Sequence, residues 1–148
     1  MSDFFSKRSG IEDTSEAETL RRLGQMDQFN TWLYSRIEPW MGERILEVGC
    51  GLGNFTRFFS GRERVVGIDF SREHLEEFRQ RNPDLDPIEL HVFDAGDPSL
   101  IQLGKGSFDT IVCLNVLEHV ENDRQALNSF HQLLQPGGHL LLLVPAFP

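Results

Sequence analysis

Apolar residues recur at steps of three and four along Leu20, Leu23, Met26, Phe29, Trp32, Leu33 and Ile37, the spacing that places one buried stripe along a helix. Ser15, with Glu18 three residues on, has the form of a capping box. Pro39 ends the pattern, because proline lacks an N–H and restricts the residue before it. A leading helix over 15–38 is therefore expected. Residues 1–14 are polar and lack a period, as expected of a flexible N-terminal tail.

Beyond Pro39 the period changes. Short apolar runs at Arg44–Val48, Val65–Ile68, Ile88–Phe93, Thr110–Leu114 and Leu140–Val144 alternate with amphipathic stretches. Several runs are apolar throughout, which suits strands covered on both faces. Asn54–Ser60, Arg72–Arg81 and Asp123–Leu134 supply crossover helices, so the expected fold is α/β, a parallel sheet with helices on both faces.

The 148 residues, 39% apolar and 25% charged, favour one ordinary globular domain. A chain of this size buries about 68–70% of its unfolded surface without disulfide or metal staples. Two cysteines, Cys50 and Cys113, suit a reducing compartment. The first ten residues hold no long apolar stretch, and the run Leu140–Val144 is far too short to span a bilayer, so the expected setting is cytoplasmic, with no membrane partner. A net charge of −9 has the wrong sign for gripping a phosphate backbone, which argues against nucleic acid. Five histidines and two cysteines without C-x-x-C or H-x-x-x-H spacing give no expectation of a metal.

The chemistry concentrates in Glu47-Val48-Gly49-Cys50-Gly51-Leu52-Gly53, directly after the first expected strand. Glycines at a strand-to-helix turn permit tight backbone geometry and let a ligand lie against the main chain, at the carboxyl end of a parallel strand. The dinucleotide fingerprint G-x-G-x-x-G would need a third glycine where Asn54 stands, and no G-x-x-x-x-G-K-[ST] phosphate loop occurs, so a pyrophosphate ligand is disfavoured. Asp69 and Asp94 close the next two expected strands. The first can accept hydrogen bonds from both hydroxyls of a ribose, the second from an exocyclic adenine amine. The competing roles are a helix N-terminal acid for Asp69 and a cap on the 95–98 turn for Asp94. Cys50 has no identifiable base with an orienting third residue and is not read as a nucleophile.

Together these residues resemble the class I S-adenosylmethionine-dependent methyltransferases, particularly the small-molecule group typified by quinone-biosynthesis enzymes. The resemblance rests on the Glu47–Gly53 turn, Gly67-Ile68-Asp69, Asp94-Ala95, the run Phe108–Val120, and Leu134-Gln135-Pro136-Gly137-Gly138-His139-Leu140. It implies a Rossmann-like sheet and S-adenosylmethionine as cofactor, with S-adenosylhomocysteine as product. By the same resemblance Glu47, Gly49, Cys50, Gly51 and Gly53 would lie against the methionine part. Asp69 would hold the ribose, Asp94 and the Ala95 amide would read the adenine edge, and Asn115 would sit beside the methionine amino group. In this family the leading helix often covers the cofactor, which makes Gln25, Met26 and Phe29 candidate lid residues.

The implied reaction is methyl transfer to a small-molecule acceptor. A proton-bearing acceptor can call for a general base, and His119, with Glu118 beside it, is the candidate; the competing role is a structural histidine at a helix start, hydrogen-bonded to backbone. Family members continue past the fifth strand into a further helix and antiparallel strands, whereas this chain stops at Pro148. The expectation is a domain over 15–148, its core 44–148, truncated at the C-terminus and lacking those antiparallel strands. The exposed edge of its last strand would then invite a homodimer. Two other readings stay open, a cofactor-binding module without transferase activity or piece of a larger enzyme, and an NAD-dependent oxidoreductase.

Overall fold

The computed structural model describes residues 22 and 25–146. The expected tail over 1–14, the Ser15–Glu18 capping box, Leu20 and Leu23 lie outside the described residues. The chain divides into two compact units between Glu38 and Pro39.

The first unit holds helix α1, residues 25–37. Along it the Phe29 and Trp32 rings meet at 5.8 Å and the Arg36 guanidinium lies 5.7 Å over the Trp32 ring, a cation–π contact. A 3-10 turn at Glu38–Trp40 follows. Pro39 sits inside that turn, which closes the helix as its missing N–H requires.

The second unit is a five-stranded sheet of β1 (Arg44–Val48), β2 (Arg64–Asp69), β3 (Glu89–Val92), β4 (Phe108–Leu114) and β5 (Leu134–Leu143), in the order β3-β2-β1-β4-β5. All four pairings are parallel, in keeping with the apolar runs of β1, β2 and β4, which are buried along most of their length. Leu46 and Val48 of β1, Val66 and Ile68 of β2, and Ile111 and Cys113 of β4 share one face. They pack with Ala126, Phe130 and Leu133 of helix α3, Asp123–Leu133. On the opposite face, Leu75 and Phe78 of helix α2, Arg72–Arg81, pack with Cys50 and Leu90. Each fully buried Leu, Ile or Phe contributes about 1.5–3 kcal/mol, and Ile45, Leu46, Phe59, Phe108, Ile111 and Phe130 are fully buried.

Both long helices are capped as their sequences dictate. Ser71 accepts from the His74 N–H, and Asn122 accepts from the Gln125 N–H. Glu73 in the first turn and Arg79 and Arg81 in the last turn of α2 oppose the helix dipole. The expected helix over Asn54–Ser60 is instead a single 3-10 turn, Thr56–Phe59. Phe55 at its N-cap offers no side-chain acceptor, and Gly61 at φ 82° turns the chain out of helical geometry, so neither end can propagate.

The last strand also begins earlier than its apolar run. Leu134 pairs with Phe108, and after a bulge the ladder resumes at His139 opposite Thr110 and runs to Leu143. Pro136 and Gly137, the latter at φ 78°, lie in that irregular stretch and break the alternation that reveals a strand.

Candidate functional site

The strand order reverses direction between β1 and β4, and ligands of open α/β sheets bind outside the carboxyl ends of the strands at such a point. A crevice of about 510 Å³ lies there, lined by the ends of β1 and β2 and by the segments that follow β1, β2, β3 and β4. Its volume falls in the range of small-molecule sites. Among the residues singled out in the sequence, Gly49, Asp69, Asp94, Ala95, Asn115 and His119 line it. Glu47, Cys50, Gly51 and Gly53 do not, although they belong to the same turn.

The turn after β1 is fixed mainly by its backbone. The N–H groups of Gly49 and Cys50 donate to the Ile68 carbonyl at 2.8 and 3.0 Å, and the Gly53 N–H donates to the Cys50 carbonyl at 3.0 Å. Gly49 has φ 75°, and a Cβ there would come within 2.3 Å of a Val116 methyl, so only glycine fits. Gly51 has φ 52°, but a Cβ there would meet nothing within 4 Å; its space is open.

Asp69 ends β2 only 6% exposed. One carboxylate oxygen accepts from the Gly51 N–H at 3.0 Å, and the other accepts from the Ser71 N–H and meets His74 Nδ1, each at 3.0 Å. A carboxylate offers about four lone-pair positions, so one remains for a ligand hydroxyl. The same side chain thus ties the glycine turn to the start of α2 and faces the crevice.

Asp94 is exposed and accepts from the Gly96 N–H at 2.7 Å through one oxygen. It both caps its turn and lines the crevice. Asn115 holds the left-handed conformation at φ 54°, which asparagine tolerates better than most residues. Its N–H donates to the Leu143 carbonyl at 2.9 Å. His119 closes the 3-10 turn Leu117–His119, its N–H donating to the Val116 carbonyl at 2.9 Å. The imidazole itself is 79% exposed, with Nε2 3.8 Å from a Glu118 carboxylate oxygen.

Glu47 is the penultimate residue of β1, just before the turn. Its carboxyl is 5% exposed and accepts from the Thr56 hydroxyl. Burial raises its pKa to about 8, against the lowering effect of that hydroxyl. Cys50 is buried, and burial, together with the charges of Glu47 and Asp69, pushes its thiol well above the ordinary range. A nucleophilic thiol needs the opposite shift. Among the described residues no group of three or more His, Cys, Asp or Glu could hold a metal ion, and no helix is long and apolar enough to cross a membrane.

Several site residues escaped the sequence reading. Phe70, 74% exposed, and Phe93, Val116 and Val120 line the crevice. Phe70 follows a strand-ending acid at a position where a polar residue would normally lead into a helix, and that was the available signal. The partners His74 and Thr56 carried none.

Comparison with known proteins places this geometry in a family. The methyltransferase-domain family profile matches residues 46–140. The chain is 32% identical over 133 residues to the O-methyltransferase cnsE of Penicillium expansum, covering 88% of this chain and 48% of that protein. It is 32% identical over 114 residues to the ubiquinone biosynthesis O-methyltransferase of Ralstonia nicotianae, covering 74% and 45%. The crystal structure of an S-adenosylmethionine dependent methyltransferase from Mesorhizobium loti superposes with a TM-score of 0.64 at 31% identity, covering 74% of this chain and 49% of that one. The chain spans about half the length of the curated relatives it matches. With the profile covering the whole of the sheet's crevice-forming part, this chain belongs to the methyltransferase-domain family.

Proposed function

We propose that the crevice binds S-adenosylmethionine and that the protein transfers its methyl group to a small-molecule acceptor. The observation that carries this reading is the pair of carboxylates around a crevice bounded by a glycine turn, Asp69 at the end of β2 and Asp94 two residues past the end of β3. The donor set suits an adenosine. Asp69 keeps one acceptor position for a ribose hydroxyl, and Asp94 keeps one oxygen beyond its Gly96 bond. Phe70, Phe93, Val116 and Val120 offer apolar surface for a base. The Mesorhizobium loti neighbour, named for the same cofactor, supports the choice, and the names of the two curated relatives support an oxygen acceptor.

When bound, S-adenosylmethionine supplies a methyl group already made electrophilic by its sulfonium. What remains for the chain is orientation and exclusion of water. In this reading the Gly49–Gly53 turn and Asn115 hold the amino-acid end, Asp69 and Asp94 with Ala95 hold the adenosine, and His119 takes the acceptor's proton at its exposed imidazole.

Gly51→Ala tests the placement. A Cβ there projects into open space, and a left-handed alanine costs about 1–2 kcal/mol, so the variant folds. It is expected to bind S-adenosylhomocysteine at least about ten-fold more weakly, read by calorimetry, because the methyl fills room the ligand needs. Unchanged affinity would remove the turn from the site.

We further propose a cytoplasmic setting, supported by two free buried cysteines, and a homodimer through β5. In the sheet order β5 is an edge, with Leu142 and Val144 exposed. Unpaired strand edges recruit a second chain. Light scattering should give twice the chain mass; a stable monomer at working concentration refutes the dimer.

A further inference from the structure

We propose that Thr56 is a positioning residue for the cofactor: its hydroxyl bond to Glu47 clasps the two ends of the glycine turn and fixes the main chain on which the amino-acid end lies. The inference rests on the cofactor reading above. Glu47 is the penultimate residue of β1 and Thr56 the first of the following 3-10 turn, so the two bracket the turn. Both are buried, at 5% and 0% exposure. Between them Gly49, Gly51 and Gly53 all have positive φ and contribute no side chain to hold their own conformation. The crevice side of the turn is tied to β2 by the Ile68 carbonyl and the Asp69 carboxylate, and Asn82 donates to the Leu52 carbonyl at 2.9 Å. The Glu47–Thr56 bond spans the turn from β1 to the 3-10 turn that follows it.

The clasp has a titration signature that a merely space-filling threonine would not have. Glu47 is neutral well below its pKa of about 8 and ionised above it. Its carboxylate favours the ammonium of the cofactor's amino-acid end, so affinity rises as pH passes upward through that value. Thr56 is the group that lowers the pKa against burial; without it the rise moves to higher pH. The other titratable groups around the turn are Cys50, whose thiol is pushed above this window, and Asp69, engaged by Gly51, Ser71 and His74.

The experiment is calorimetric titration with S-adenosylhomocysteine from about pH 6.5 to about pH 9, across the expected ionisation, on wild type, Thr56→Val, Thr56→Ser and Glu47→Gln. Thr56→Val should bind about five-fold more weakly at neutral pH, the effect of one lost hydrogen bond to the neutral carboxyl, with its rise displaced upward. Thr56→Ser should restore both. Glu47→Gln, which still accepts from Thr56 but cannot ionise, should lose the rise. If wild type binds while Thr56→Val keeps its affinity and profile, or Glu47→Gln keeps the rise, the clasp is overturned. Should Thr56→Val not fold, the Glu47→Gln profile decides. No binding by wild type would overturn the cofactor reading, and the clasp with it.

Discussion

His119→Ala should slow methyl transfer about 10²- to 10⁴-fold, the usual contribution of a histidine base, while S-adenosylhomocysteine affinity stays near wild type. The reason is positional. His119 sits on the short turn after β4, at the lining of the crevice, with its backbone N–H engaged and its imidazole exposed. A structural histidine would bury its ring against backbone acceptors; this one turns toward solvent and the Glu118 carboxylate. That carboxylate, 3.8 Å from Nε2, is placed to stabilise the imidazolium formed when a proton is taken. Turnover of an accepted substrate, measured across pH, separates the alternatives. A few-fold decrease with an unchanged pH profile would leave catalysis to positioning alone and His119 as an ordinary rim residue.

Asp69→Ala is expected to weaken cofactor binding about ten- to two-hundred-fold, equivalent to 1.5–3 kcal/mol for lost bonds to a charged acceptor. Two effects act in the same direction. The carboxylate position left for a ribose hydroxyl disappears, and the Gly51 and Ser71 N–H groups lose their shared acceptor, which loosens the turn and the start of α2 together. Asp69→Asn keeps one oxygen to accept from one of the two N–H groups, sets its NH2 against the other and loses the charge, so its affinity and its thermal midpoint should both fall between wild type and alanine. A folded alanine variant with unchanged dissociation constant would reduce Asp69 to a brace between Gly51 and α2.

Some of this molecule was legible because local chemistry and tertiary environment agree. Arg44–Val48 and Arg72–Arg81 have in the structure the bounds expected of them. The parallel sheet followed from runs apolar on both faces, and Asp69 stood out because an acid closing a buried strand needs a reason to be there; Asp94, expected to close the third strand, lies two residues past the end of β3. The 54–60 segment misled because Phe55, Phe58 and Phe59 have a helix-like spacing; a spacing without caps supports only one 3-10 turn. The start of β5 was hidden by Pro136, Gly137 and Gly138, which a bulge absorbs.

The side-chain partnerships were beyond the sequence for a different reason. Thr56 reaches Glu47 across nine positions and His74 reaches Asp69 across five, distances set by how the turn and α2 fold back, not by any periodicity. Phe93 stood in an expected strand and Val116 and Val120 in the run Phe108–Val120 without a site role, because apolar lining and apolar core have the same composition; only the crevice separates them.

The reading of this crevice as an S-adenosylmethionine site is tested most directly by equilibrium titration of the wild-type chain with S-adenosylhomocysteine and, separately, with NADH. The missing third glycine at Asn54 and the carboxylates at the crevice predict saturable one-to-one binding of S-adenosylhomocysteine and none of NADH. Saturable binding of NADH with no response to S-adenosylhomocysteine would contradict it.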